Sequence, residues 1–215
     1  MAVLGNKLAA GNNLFWWKAE IDIPCAVCAN LKAAKVENVM GHLLQLAHFG
    51  LRTRHLANAV DWYGRAFDAE VRFKNELVAF MSFDDEHHRF VLWDDGDTTE
   101  KPETARGVDH IGFSCGSPSA LADEYYRLKA LGILPTLSVN HHFTSSLYYR
   151  DPDDNEVEIT CDNMSSKAEC SAFMSTPQMA EAMQPPFFGS EFDPEELLKL
   201  RECGASDREL ATIGL

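Results

Sequence analysis

The feature that most constrains this chain is an internal repeat. Laid over itself at a shift of 62 positions (110 − 48), the sequence brings His48 onto His110, Gly50 onto Gly112 and Asp61 onto Asp123. The same shift pairs Tyr63 with Tyr125 and Arg65 with Arg127, and no gap is needed. Self-similarity at one fixed period marks a duplicated supersecondary unit. Within the first copy, residues 44–53 alternate as a strand and 55–67 carry Leu56, Val60, Tyr63 and Phe67 at helical spacing. Strand-like runs follow at 69–74, 77–83 and 89–93. The second copy repeats the order: a strand at 108–115, then a helix capped by Ser117 and opened by Pro118. That helix carries Leu121, Tyr125, Leu128 and Leu131, and Gly132 ends it. Strands at 136–140, 144–150 and 156–161 complete the copy, the last two joined by a turn from Asp151 to Asn155. The expected class is therefore α+β, a tandem of two βαβββ modules.

The modules span 44–103 and 107–161, with a linker-like stretch at 94–106, and together form a domain at 44–161. Residues 1–43 are an extension of unknown role that contains Phe15, Trp16 and Trp17 and a lone Cys25-Ala-Val-Cys28 motif. With no second such pair, these cysteines read as packing or incidental residues. Residues 162–215 form a tail with short helices, signalled by Asp193-Pro194 and by Ser206 and Glu209 at capping-box spacing. Extension and tail exceed what two modules require. They are expected to bury surface between subunits or over the barrel mouth, making the protein a homo-oligomer, a dimer or larger.

Composition narrows the partners. Of 215 residues, 19 are Lys or Arg and 33 are Asp or Glu, a net charge of −14 that argues against nucleic acid and anionic membranes. No run approaches the roughly 18 apolar residues of a membrane span. Six cysteines in a chain of this length make no disulfide framework, so a cytoplasmic protein with reduced thiols is expected.

Chemistry enters through the repeat. A single strand histidine is more often a core residue than a ligand, but His48 and His110 hold the same place in each copy and can converge near the internal axis. The last strand offers Glu156 and Glu158 on one face. The matching strand at 89–93 has no carboxylate. Two histidines and one glutamate leave three open positions, the arrangement suited to non-haem Fe(II) that takes both a substrate and dioxygen.

These stretches, LAHFGLRT (46–53), DDEHHRFVLW (84–93), GVDHIGFS (107–114) and NHHFTSSLYYRDPDDNEVEI (140–159), resemble the vicinal oxygen chelate superfamily. Within it they are most similar to one-domain type I extradiol ring-cleaving dioxygenases, and the FDPEELL of the tail (192–198) resembles the ends of such chains. The resemblance covers roughly 44–200. It implies a metal-centred half-barrel and a ligand set of His48, His110 and Glu158 holding Fe(2+), with Mn(2+) as the alternative ion. It implies His88 as acid–base residue, Tyr148 as hydrogen-bond partner of a substrate oxygen and His141 as a second histidine near the oxygen site. A one-residue gap exchanges His141 with His142. The substrate implied is an aromatic diol, cleaved with both atoms of O2. One departure is Asp154, where the family usually has Gly; Asp tolerates the left-handed conformation moderately well. Two rival readings stand beside this one. A non-oxidative lyase or isomerase of the glyoxalase type commonly has a fourth protein ligand, for which 89–93 has no carboxylate. A metal-free module that binds an aromatic ligand has no use for the three ligands together.

Overall fold

The structure is a computed structural model and describes residues 45–94, 96, 99, 102, 106–182 and 188–215. The aromatic cluster and Cys25–Cys28 motif lie outside the described residues. The first module runs β1 (Phe49–Arg52), α1 (Leu56–Phe67), β2 (Glu70–Lys74), β3 (Val78–Ser82) and β4 (Phe90–Trp93). The second runs β5 (His110–Ser114), α2 (Pro118–Ala130), β6 (Leu137–Asn140), β7 (Thr144–Arg150) and β8 (Glu156–Asp162). Each gives a sheet of the same order, β1-β4-β3-β2 and β5-β8-β7-β6, in which the first strand lies parallel to the last. The duplicated βαβββ reading is thus realised strand for strand.

Local chemistry explains the boundaries. Helix α1 buries Leu56, Ala59, Trp62, Tyr63 and Ala66 and stops where Asp68 turns left-handed at φ 52°. The Ser117 side chain accepts from the Ala120 amide at the start of α2. The Asp151 turn places Asp154 at φ 60°, the left-handed position expected of it. Two strands are shorter than their alternation suggested: β1 begins at Phe49, after His48, and β5 begins at His110.

The modules are tied through three kinds of contact. Phe113 of β5 enters the aromatic cluster of the first module, 4.5 Å from the Phe67 ring and 5.9 Å from the Phe49, Phe83 and Phe90 rings. Tyr63, 1% exposed, donates its hydroxyl to Asp151 Oδ2 at 3.0 Å. The repeated arginines cross: Arg65 donates to the Leu131 carbonyl (3.2 Å), and Arg127 to the Arg65 and Ala66 carbonyls (2.9 and 2.6 Å). Those carbonyls end helices whose last acceptors have no partner in the helix itself.

The tail is more ordered than its sequence suggested. It forms α3 (Lys167–Phe173, capped by Ser166), α4 (Pro177–Ala182), β9 (Ser190–Glu191), α5 (Pro194–Glu202) and α6 (Asp207–Leu210). Strand β9 pairs with β6 and closes that sheet's edge. The corresponding strand of the other sheet, β2, is exposed along its length. Leu197, Leu210 and Ile213 join the core. Asn140, fully buried, donates to the Ala211 and Ile213 carbonyls at 2.9 and 2.8 Å. The capping box of Ser206 and Glu209 forms as expected.

Candidate active site

Side chains alternate across a strand, so Val157, Ile159 and Cys161 of β8 enter the core while Glu156, Glu158 and Thr160 face the other way. Register places Glu158 between Gly112 of β5 and Tyr148 of β7. Its Oε1 lies 2.5 Å from Ser146 Oγ and 3.2 Å from the Tyr148 hydroxyl. Its Oε2 lies 3.4 Å from His110 Nε2. The carboxylate rests directly over Gly112, where a Cβ would stand 2.7 Å from Oε2. Only glycine leaves that seat free.

Two of the three expected ligands, His110 and Glu158, face each other as a donor pair of the kind a divalent cation takes. His110 Nδ1 is 2.9 Å from Asp109 Oδ2. A carboxylate only accepts, so Nδ1 carries the hydrogen and a neutral ring turns its Nε2 lone pair toward Glu158. Two acceptors facing each other need a proton or a cation between them. Among the described residues no lysine or arginine forms an ion pair with Glu158, whereas Glu156 is paired with Arg150 at 3.1 Å. A buried carboxylate without a cation is costly.

Tyr148 and His141 complete this side. Tyr148 Oη is 3.0 Å from His141 Nε2, and burial together with the neighbouring Glu158 pushes its phenol above the ordinary value. His141 Nδ1 is 2.8 Å from the Phe188 carbonyl. The sequence left His141 and His142 exchangeable. In the structure His141 meets Tyr148, while His142, at φ 70°, stacks on Phe173 with centroids 6.2 Å apart. Beside Glu158 lies a cavity of about 590 Å³ with Leu137, Val139, Phe143 and Phe188 on its apolar side, within the usual size for one small organic molecule.

The other expected residues gather on the first module. The His48 ring lies 4.6 Å from His88, which also packs on Phe80 at 5.1 Å and on His87 at 4.4 Å. Partial burial, then His87 and His48 nearby, hold the His88 imidazole below the ordinary histidine value. Among the described residues, no three His, Cys, Asp or Glu side chains stand close enough to share an ion. The structure therefore brings His110, Glu158, Tyr148 and His141 together, and His48 with His87 and His88. Register adds a detail: Val91, paired with Gly50, is the counterpart of Glu158, and Phe80 is the counterpart of Tyr148. His88 stands three residues before Val91, in the loop leading into β4.

Sequence reading missed Ser146, Asp109 and the seat at Gly112. Ser146 left a signal, a small hydroxyl on the same face as Tyr148. Gly112 was visible as half of the repeated His-x-Gly, without the reason for it.

Residues 45–159 match the model of the glyoxalase/bleomycin resistance protein/dioxygenase superfamily. The chain belongs to this superfamily. It is 34% identical over 170 residues to biphenyl-2,3-diol 1,2-dioxygenase 3 of Rhodococcus globerulus, covering 78% of this chain and 87% of that one. It is 37% identical over 136 residues to biphenyl-2,3-diol 1,2-dioxygenase 2 of the same organism, covering 62% of this chain and 71% of that one. Among solved structures, a glyoxylase/bleomycin resistance protein/dioxygenase domain from Frankia sp. EAN1pec has 25% identity and a TM-score of 0.48. That match covers 58% of this chain and 96% of the other. No helix among the described residues is long and apolar enough to cross a membrane.

Proposed function

We propose that this protein is an Fe(II)-dependent extradiol dioxygenase that opens the ring of a catechol-type aromatic and inserts both atoms of O2. The observation that carries the reading is the half-buried Glu158 carboxylate facing the Nε2 of His110 with no lysine or arginine ion pair among the described residues. The two Rhodococcus relatives, dioxygenases by name, add weight to it. His48, His110 and Glu158 would hold the ion, and a bound Fe(II) would supply the electrons that let a catechol react with dioxygen. Mn(II) suits the same ligands.

The chain's own groups do the rest. Tyr148, kept protonated by burial and Glu158, offers its hydroxyl hydrogen to a substrate oxygen. The apolar wall of Leu137, Val139, Phe143 and Phe188 offers a face on which an aromatic ring would rest. His88, shifted toward its neutral form, takes a proton from a catechol hydroxyl and returns it later in the cycle. Val91 in the place of a second carboxylate argues against a four-ligand lyase or isomerase centre.

The test is anaerobic loading with Fe(II), then air and a panel of catechols including biphenyl-2,3-diol, with absorbance followed for a yellow ring-fission product. Glu158→Ala should abolish metal binding, while Glu156→Ala, whose side chain belongs to Arg150, should keep most of it. Colourless mixtures from fully loaded protein, or metal lost in Glu156→Ala instead, would overturn the assignment.

A further inference from the structure

We infer that the C-terminal tail works as a positioning element for the active site: the backbone carbonyl of Phe188 fixes His141 in the Nδ1–H tautomer, so that Nε2 faces Tyr148 as an acceptor. The inference deepens the dioxygenase reading and draws its consequence for turnover from it. The tautomer itself stands on geometry alone.

A carbonyl oxygen has no proton to give, so the 2.8 Å contact between His141 Nδ1 and the Phe188 carbonyl puts the hydrogen on Nδ1. In a neutral ring Nε2 then carries only a lone pair, and the 3.0 Å contact with Tyr148 requires the phenol to donate. Tyr148 has one proton and a second acceptor in reach, Glu158 Oε1 at 3.2 Å. That oxygen already faces Ser146 Oγ at 2.5 Å. Thr160, the other partner of Ser146 at 2.9 Å, sends its own hydrogen to the Ser145 carbonyl. Ser146 has one hydrogen for two acceptors, and the charged, nearer Glu158 Oε1 takes it; with that oxygen supplied, the proton of Tyr148 goes to the nearer acceptor, His141 Nε2. The resting site holds its phenol proton on the side away from the carboxylate, aimed by a tail residue 47 positions from the histidine.

The carbonyl is held in place from both sides. Strand β9 pairs Ser190 with Asn140 and Glu191 with Val139, next to His141. The Asn140 side chain grips the Ala211 and Ile213 carbonyls farther along the same tail. Between Phe188 and β9 lies Gly189, where a Cβ would clash with the Asn140 carbonyl oxygen. That contact is backbone against backbone, so any side chain at 189 must push the 188–189 peptide, and the Phe188 carbonyl with it, off its position.

The experiment is ¹⁵N-histidine NMR on the full chain, metal-free and loaded with diamagnetic Zn(II), with the His141 signals identified by their loss in His141→Gln. Wild type should show His141 as the neutral Nδ1–H tautomer. Gly189→Ala should shift or mix the tautomers, with the fold checked by circular dichroism. Phe188→Ala, which keeps the carbonyl, should retain the wild-type ring pattern. An Nε2–H tautomer or an imidazolium in wild type at neutral pH overturns the inference. So does a folded Gly189→Ala protein with an unchanged ring. In steady-state kinetics on a cleavable catechol, Gly189→Ala should lower kcat about 10-fold or more with a smaller change in KM. A confirmed tautomer in a protein that cleaves no catechol rejects the dioxygenase reading and leaves the tail's role intact.

Discussion

Replacing Gly112 by alanine separates the fold from the proposed metal site. The new Cβ would stand 2.7 Å from Glu158 Oε2, about 0.7 Å inside the 3.4 Å at which ordinary contact begins. The obstructed atom is a carboxylate tip, so the side chain gives way and the strand does not. Metal–ligand distances lie within about 0.2 Å of their ideal values. A forced shift of this size should weaken divalent-metal binding by roughly 10- to 100-fold, the range seen when the support of a ligand is altered; that equals about 1.4–2.7 kcal/mol. Stability should not fall in parallel, because the backbone at 112 is not left-handed and alanine in a strand gains about 0.5–1 kcal/mol over glycine. The repeat provides the control. Gly50 holds the same register in the first module, and a Cβ added there would meet nothing within 4 Å, so Gly50→Ala should bind metal like wild type. Calorimetric titration with Mn(II), or anaerobic titration with Fe(II), beside thermal unfolding measures both quantities. Equal metal affinity in Gly112→Ala and wild type, or equal losses in the two glycine variants, would refute the reasoning.

Three further outcomes are expected. Tyr63→Phe removes one of four donors that the described residues offer the buried Asp151 side chain and should cost about 1.5–3 kcal/mol in urea unfolding, as for a hydrogen bond to a charged group; a change below about 0.5 kcal/mol would show that this bond does not tie the modules. His88→Phe should retain metal and catechol binding but lower turnover by roughly 10²–10⁴, the range for loss of an acid–base group; loss of metal would instead make His88 a ligand. Glu195 of α5 is held below the usual carboxylate range by hydrogen bonds from Lys129 and Tyr125. Its contribution is present above the ordinary value near 4.5 and is lost as pH falls through the lower folded value. Tail docking, followed by proteolysis from the C-terminus, should loosen in that acid window, and Glu195→Gln should flatten the dependence.

Most of the module architecture was legible because a strand or helix that buries one face writes its period into the sequence. The offset of 62 matched the first strand and helix of the two copies, and both modules formed with the same strand order. The tail was less legible. Helices α3 and α4 have seven and six residues, too short for an apolar stripe, and β9 is a two-residue strand that exists only because β6 offers an edge. At the site, histidines and a glutamate declare themselves by type. Gly112 and the Phe188 carbonyl do not, since one acts by lacking a side chain and the other through its backbone. The extent of β1 was overread: the alternation runs through His48, but the paired strand starts at Phe49, opposite Phe90.

The crossing of Arg65 and Arg127 has a consequence for the origin of the chain. Each arginine reaches the end of the other module's helix, though not the equivalent carbonyls, so the junction is approximately self-complementary: the same kind of contact made in both directions. That is the geometry of an isologous dimer contact, here enclosed within a single polypeptide. A protein of half this length, carrying one such arginine and one such helix end, would already hold both halves of the contact. Duplication and fusion needed to invent no new surface, and the two copies were then free to diverge, one retaining valine where the other carries its glutamate.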